Sequence, residues 1–229
     1  MTDFAGQQVV VTGGTGALGS AVVAALLDED ADCHVTWKFE QELDGFELAD
    51  SVSLYELDCA DEESVARFYA GLPALGASIH IVGGFAMAPI TETGADDFRG
   101  MMQLNALTAF LCCREAVRNM RRGGTGGRIV NVSARPVLQP YGGAVAYAAS
   151  KAAVASLTQC LADEVKGDSI LVNAVVPSIL DTPANRAAMP DADFALWPKV
   201  DDVASTICQL ASPENGIGSG ALVPVFGKV

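Results

Sequence analysis

The sequence predicts an α/β fold, in which about seven parallel strands form one doubly wound sheet flanked by helices. Three observations predict this class. Short β-branched runs alternate with segments of helical period along all 229 residues. A glycine-rich loop, at positions 12–19, joins the first strand to the first helix. No repeat, low-complexity tract or linker interrupts the alternation, so we expect one domain over residues 1–229.

Composition narrows the classes of function. The chain is 50% hydrophobic and 18% charged, as expected of a well-buried globular protein. A net charge of −14 argues against nucleic acid and anionic membranes as partners. Six cysteines without a C-x-x-C pair, and only two histidines, predict neither a disulfide framework nor a metal site. The N-terminus resembles no signal peptide, and we expect a cytoplasmic protein.

The first strand, over residues 9–11, leads into the glycine-rich loop, and helical periodicity follows over residues 22–27. Gly14, Gly16 and Gly19 fit the G-x-G-x-x-G pattern between a strand and a helix. In a Rossmann-type unit this loop binds the pyrophosphate of a dinucleotide at the helix N-terminus. An ordinary glycine-rich turn is the alternative. The predicted cofactor residues of the loop are Gly13, Gly14, Thr15, Gly16, Ala17, Leu18 and Gly19.

The second strand, residues 33–38, carries a cue to the cofactor. In NAD-binding units an acidic residue about 20 positions past the glycines holds the ribose 2′-hydroxyl. Lys38 stands there instead, 19 positions past Gly19. A cation at this place would attract a 2′-phosphate, so the sequence favours NADP(H) slightly over NAD(H). A solvated lysine is the alternative, and the nearby Glu40 and Glu42 weaken the case for NADP.

The third and fourth strands lead to further candidates. Residues 51–57 predict a strand that ends at Asp58, which either contacts an adenine amino group or only terminates the strand. Asp61 has the position of a helix N-cap. Residues 79–82 predict the fourth strand, and Gly83 after it would leave room for the nicotinamide half of a cofactor.

The rest of the chain continues the alternation. A long helical pattern over about 96–120 holds Asn105 in its apolar middle, where a buried amide needs partners; a neighbouring loop is the simplest partner. The remaining strands are predicted at 128–132, 170–176 and 221–225, with a last helix at 201–211. The irregular stretch 177–198 is the expected lid over a substrate, because long loops in compact domains tend to be functional.

Tyr147 and Lys151 open the helical run before the sixth strand. Their spacing of four residues puts both on one helix face. A fixed ammonium beside a phenol lowers the phenol's pKa from its ordinary value of about 10, which yields a tunable proton donor. A partly buried tyrosine beside a solvated lysine is the alternative.

Together these features resemble the short-chain dehydrogenase/reductase family over nearly the whole chain. The matching stretches are Thr12 to Gly19, Asp58, Asn105, Asn131-Val132-Ser133-Ala134, Tyr147 with Lys151, and Pro177 to Thr182. The resemblance implies a nicotinamide-dependent oxidoreductase that acts on a small molecule and assembles as a dimer or tetramer through its long helices. A P-loop phosphotransferase is excluded, because no Gly-Lys-Ser/Thr follows the glycines.

The resemblance also implies roles for single residues. Tyr147 would donate a proton to the substrate, and Lys151 would lower the pKa of Tyr147 and hold the nicotinamide ribose. Asn105 would position a water that connects Lys151 to solvent. The implied cofactor residues outside the glycine loop are Lys38, Asp58, Gly83, Lys151, Pro177 and Thr182.

One departure from the family concerns the catalytic serine. Ala134 stands at its usual position, and Ser133, the candidate replacement, is one residue early. Dihydropteridine reductase is similar in these details and in the stretch 181–197, which implies a carbonyl or an activated C=N or quinonoid substrate. The missing serine also leaves open a non-catalytic NAD(P)-binding sensor, although Tyr147, Lys151 and Asn105 argue against it.

Overall fold

The computed structural model describes residues 4–229. Seven strands form one parallel sheet in the order β3-β2-β1-β4-β5-β6-β7, which confirms the predicted class. The strands are β1 Gln8–Thr12, β2 Asp32–Trp37, β3 Ser53–Glu56, β4 Ala77–His80, β5 Gly127–Val132, β6 Ile170–Pro177 and β7 Leu222–Val225. The strand order reverses between β1 and β4, and ligands of such sheets bind at this reversal, beyond the carboxyl ends of the strands.

The helices cover both faces of the sheet. They are α1 Ala17–Leu27, α2 Glu62–Gly71, α3 Ala95–Met101, α4 Thr108–Gly123, α5 Val145–Glu164, α6 Pro183–Ala188 and α7 Val200–Ala211. The side chain of Asp61 accepts a hydrogen bond from the Ser64 N–H, so the predicted N-cap of α2 is confirmed. Within residues 4–229, no helix has the length and apolar character needed to cross a bilayer.

The core has two layers, one on each face of the sheet. Val9 and Val11 of β1 pack with helices α1 and α7, whereas Val10 between them packs with α2 and α4. Alternate residues of a strand point to opposite faces, so a continuous valine run suits a strand that is buried on both sides.

Two predicted boundaries differ from the structure. The fourth strand is Ala77–His80 rather than 79–82, and its pairing with β1 ends where His80 lies opposite Thr12. The stretch 177–198 is not irregular throughout, since it contains α6 and a 3-10 helix at Phe194–Leu196.

The long helix predicted over 96–120 is also divided. A π-helix, Met102–Leu107, lies between α3 and α4 and contains Asn105. π-Helical turns within α-helices are rare and often occur at functional sites. This turn borders the end of β4 through Asn105, which places it against the candidate site.

Candidate functional site

A cleft of about 760 Å³ opens at the carboxyl ends of β1 to β4. The glycine loop forms one wall, and the ends of β2, β3 and β4 form the floor. The π-helix closes the far side with Gln103 and Leu104. Most of the predicted cofactor residues therefore line one cavity, namely Gly13, Thr15, Gly16, Ala17, Leu18, Gly19, Lys38, Asp58 and Gly83.

The glycine loop is closely packed where it joins β1 to α1. A Cβ at Gly14 would lie 2.7 Å from Cγ1 of Val35, and a Cβ at Gly19 would collide with the carbonyl oxygen of Gly13. Glycine therefore allows α1 to pack close to the sheet. No side chain caps the α1 N-terminus at Gly16, which leaves main-chain N–H groups for an anion.

Lys38 and Asp58 form an ion pair in the cleft, just beyond the ends of β2 and β3. Lys38 Nζ lies 2.8 Å from Asp58 Oδ2, and both side chains are nearly half exposed. Asp58 Oδ1 also accepts the Ala60 N–H at 3.0 Å. The hydrogen bond from Lys38 lowers the pKa of the Asp58 carboxyl below its ordinary value. Two residues that the sequence assigned to different parts of a cofactor thus form one ion pair.

Glu42 is a residue of this site whose contacts the sequence did not reveal. Its Oε2 accepts the Thr15 hydroxyl at 3.0 Å and the Lys38 N–H at 3.4 Å, and its Oε1 accepts the Phe39 N–H at 3.3 Å. These bonds tie a short 3-10 helix, Glu40–Leu43, to the glycine loop. The available signal was a glutamate three positions after a turn start, which is the spacing of a capping box.

Asn105 holds the loop that follows β4 through hydrogen bonds to Gly84. Its Oδ1 accepts the Gly84 N–H at 3.0 Å, and its Nδ2 donates to Gly84 O at 3.1 Å and to Ser150 Oγ at 3.0 Å. These contacts match the simpler alternative, in which the amide satisfies a neighbouring loop. A Cβ on Gly83 would lie 2.6 Å from Asn105 Oδ1 and 3.1 Å from Lys151 Nζ, so glycine permits all three groups to meet.

Lys151 is fully buried beneath the cleft. Its Nζ donates to the carbonyl oxygen of Val132 at 2.9 Å, and only 5% of the residue is exposed. Burial lowers the pKa of the Lys151 ammonium to about 8. The alternative of a solvated lysine does not fit this placement. An ammonium so weakly solvated can exchange a proton near neutral pH.

The pKa of the Tyr147 phenol differs from the sequence-based expectation. Its ring packs edge-on against Phe85, with ring centroids 4.9 Å apart. Burial raises the pKa of the Tyr147 phenol, and nearby Tyr141 adds to the increase. The structure therefore does not show the lowered pKa expected from Lys151. No group of residues 4–229 hydrogen-bonds the phenol, which is thus available to a ligand.

Ser133 and Ala134 follow the end of β5. The Ser133 hydroxyl is buried and donates to the carbonyl oxygen of Lys151 at 2.9 Å. This bond directs the donor of Ser133 to the main chain of α5, where it fixes the helix that carries Lys151. Ala134 is 3% exposed and presents only a methyl group.

The segment after β6 is held by its own side chains. Thr182 caps α6 by accepting the Asn185 N–H at 3.2 Å, and Arg186 binds both carboxylate oxygens of Asp181 at 2.6 and 2.8 Å. Arg186 also stacks over Phe194, 5.1 Å from its ring centroid. Pro177 ends β6 opposite Val225. The side chains of Asp181, Thr182 and Arg186 thus stabilise the fold of this segment.

A buried polar network below the cleft was not anticipated. His80 bonds Ser78 Oγ at 2.9 Å and Asn131 Oδ1 at 2.8 Å, and Asn131 donates to Thr158 at 2.9 Å. Burial lowers the pKa of His80 to about 4, so the imidazole is neutral. The network joins β4, β5 and α5 just beneath the residues that face the cleft.

The chain is similar to known dehydrogenases both in sequence and in structure. The model of the short chain dehydrogenase family matches residues 7–193. A short-chain type dehydrogenase/reductase of Picea abies is 28% identical over 250 aligned positions, covering 97% of this chain and 92% of that protein. A 2-dehydro-3-deoxy-L-rhamnonate dehydrogenase (NAD(+)) of Sphingomonas sp. is 30% identical, covering 92% and 90%. The solved structure of ElxO with NADP bound has a TM-score of 0.88 at 26% identity, covering 99% and 98%.

Proposed function

This chain belongs to the short-chain dehydrogenase/reductase family and is an NAD(P)-dependent oxidoreductase, and from that premise we propose that it reduces a small carbonyl or activated C=N or quinonoid substrate with Tyr147 as proton donor. The observation that carries the proposal is the arrangement at the start of α5. The ring of Tyr147 packs on Phe85, and no hydrogen bond from residues 4–229 reaches its phenol. One turn further along α5, the buried Nζ of Lys151 would lie 3.1 Å from a Cβ on Gly83.

Tyr147, Lys151 and Asn105 have different roles in the proposed reaction. When bound, the reduced nicotinamide supplies a hydride to the electrophilic carbon of the substrate. Tyr147 gives its phenolic proton to the oxygen or nitrogen that receives the electron pair, and solvent returns a proton to the phenolate. A raised pKa keeps Tyr147 protonated at neutral pH, which suits reduction. Lys151 stabilises the transient phenolate as an ammonium, and Asn105 holds the loop against which the nicotinamide half would lie.

The substrate that fits is flat, apolar and already activated. Two exposed aromatic side chains lie near Tyr147: Phe85 packs edge-on against its ring, and Tyr141 is close enough to affect the pKa of its phenol. Ala134 provides no hydrogen-bond donor where one would polarise a substrate oxygen. Loss of such a donor typically costs about 3–4 kcal/mol of transition-state stabilisation. A quinonoid C=N group needs this donor less than a simple ketone does.

A cofactor-oxidation screen tests this substrate class. We expect faster turnover of quinonoid dihydropterin or quinones than of unactivated ketones, with NADH and NADPH assayed separately. Ala134→Ser should raise ketone reduction by up to roughly 100- to 1,000-fold and the native activity by less, because it restores the missing donor. Ser133→Ala is the matched control and should leave this ratio unchanged. Brisk reduction of simple ketones by the wild type would contradict the proposal.

The similarity to dihydropteridine reductase supports a further proposal about the substrate side of the site. We propose a relative of that enzyme in which the segment 177–198 acts as the substrate lid. Support comes from Ala134, from the Gly-Gly-Phe sequence at 83–85 and from the position of the segment after β6. The internal bonds of the segment account for its motif without a pteridine, so the motif supports the shape of the lid rather than the identity of the substrate.

For the cofactor we propose a slight preference for NADPH over NADH. Lys38 lines the cleft at the end of β2, where a cation can meet a 2′-phosphate. One similar structure holds NADP, whereas the name of one relative specifies NAD(+). The ion pair with Asp58 keeps the preference slight, because Lys38 must be shared between two anions.

We further propose a dimer or tetramer that pairs through α4 and α5. Leu111 and Val117, two apolar residues of α4, are buried in the core of the chain and cannot contribute to this pairing. The exposed apolar residues on α3, the π-helix, α4 and α5 that do not line the cleft are instead Phe98, Leu107, Phe110 and Val145. Apolar side chains clustered on one exposed helix face favour burial against a partner.

Sedimentation at micromolar concentration checks the assembly. We expect the wild type to sediment as a dimer or tetramer and Phe110→Asp to dissociate, because a carboxylate is costly to bury in an apolar interface. Ile217→Asp is the control, since Ile217 is 96% exposed in the loop after α7. A monomeric wild type would refute the proposed pairing.

A further inference from the structure

Resting on the proposed nicotinamide-dependent function, we propose that Glu42 occupies the anion subsite that would receive the 2′-phosphate of NADPH. The chain thus carries its own competing anion at the end of β2. NADH, whose ribose ends in a 2′-hydroxyl there, leaves Glu42 in place. NADPH must displace it, and Glu42 is therefore the residue that limits the preference created by Lys38.

The hydrogen bonds of Glu42 support this reading. The carboxylate takes three donors: the hydroxyl of Thr15 in the glycine loop and the successive main-chain N–H groups of Lys38 and Phe39. Successive N–H groups at a turn form a concave anion site. All these residues, and Glu42 itself, line the cleft that the glycine loop shapes for a dinucleotide. The donor set therefore belongs to the cofactor cavity rather than to a remote surface.

The charges of the neighbouring residues make the competition specific. Lys38 is the positively charged side chain next to Glu42, and its ammonium forms an ion pair with Asp58. A 2′-phosphate would bring about two negative charges next to Glu42 and Asp58, so Glu42 must leave its donors and Lys38 must turn away from Asp58. A 2′-hydroxyl can donate to the Glu42 carboxylate and requires neither movement. Removing the charge of Glu42 should thus help only the phosphorylated nucleotide.

Equilibrium titration with adenine nucleotides tests the inference without turnover. The probes are ADP and adenosine 2′,5′-bisphosphate, which differ at the ribose 2′ position and in the phosphates at 5′, with NADH and NADPH as the second pair. In Glu42→Gln we expect the Kd of NADPH and of the 2′,5′-bisphosphate to fall by about tenfold, and those of NADH and ADP to stay within about threefold or rise.

Three further variants separate a local effect from a general one. Glu40→Gln removes the same charge two residues earlier, on an exposed part of the same 3-10 helix, and should change all four Kd values by less than about twofold. Lys38→Met should weaken only the 2′-phosphorylated ligands. Glu42→Asp keeps the charge on a shorter side chain, and it serves if Glu42→Gln fails to fold; it should preserve the discrimination against 2′-phosphate.

The outcomes distinguish this inference from the function on which it rests. Equal loss of affinity for NADH and NADPH in Glu42→Gln would overturn the inference, since Glu42 would then only brace the glycine loop. An equal gain in Glu40→Gln would also overturn it, because the effect would be long-range. Failure of the wild type to bind any of the four nucleotides would instead refute the proposed oxidoreductase function itself.

Discussion

Tyr147→Phe is expected to lower turnover by roughly 100- to 10,000-fold, the range that a positioned general acid contributes. The substitution removes only the phenolic oxygen. The ring keeps its edge-on contact with Phe85, and no hydrogen bond of the described chain is lost, because none reaches that oxygen. The loss should therefore fall on turnover rather than on folding.

Cofactor binding provides the control for this variant. The Kd of NADPH or NADH, measured by fluorescence titration, should stay within a few-fold of the wild-type value, because the glycine loop and Lys151 are unchanged. Phe85→Leu is a useful companion, since it alters the packing of the ring but keeps the phenol. Turnover near the wild-type rate in Tyr147→Phe would rule out Tyr147 as the proton donor.

Lys151→Met is expected to abolish turnover, weaken cofactor binding and yet stabilise the fold. The lowered pKa of Lys151, about 8 against an ordinary 10.5, means that burial of the ammonium opposes folding at pH 7. The shift corresponds to about 3 kcal/mol, reduced by about 1 kcal/mol for the lost bond to Val132, so we expect a net gain of about 2 kcal/mol in the free energy of unfolding. Methionine fills a similar volume without a charge.

The pH dependence of this gain identifies its cause. Between pH 8 and 10.5 the unfolded chain binds more protons at Lys151 than the folded chain, so the stability of the wild type rises with pH through that window. Below pH 8 both states carry the charge, and the burial cost is fully present. The advantage of Lys151→Met should accordingly be largest below pH 8, fall to about zero near pH 10 and become a loss of up to about 1 kcal/mol at higher pH, where only the missing bond to Val132 remains.

Urea unfolding of both proteins at pH 7 and pH 10 measures this difference. Lys166→Met, at an exposed lysine just beyond the same helix, is the control and should show little change at either pH. A destabilised Lys151→Met at pH 7 would show that the contacts of the ammonium outweigh its burial. Unchanged turnover and cofactor affinity would disprove its pairing with Tyr147.

Local patterns were enough to predict the fold and the position of the glycine loop. The alternation of valine-rich runs with helical periods predicted the parallel sheet, and the glycine spacing predicted the loop that now lines the cleft. Asp61 was correctly placed as a helix cap. These features depend on residues within one or two turns of each other, and their geometry is set by backbone sterics and burial, which the sequence displays directly.

Contacts between distant segments were decided only by the tertiary structure. Lys38 meets Asp58 across two strands, Glu42 reaches Thr15 of the glycine loop, and the Ser133 hydroxyl turns to the main chain of α5. Each polar group had several partners of comparable strength, so no local pattern could rank them. The sequence alone determined which chemical groups gather at the carboxyl edge of the sheet. Packing of the strands and helices then decided which pairs stand within 3 to 4 Å, where hydrogen bonds and charges act.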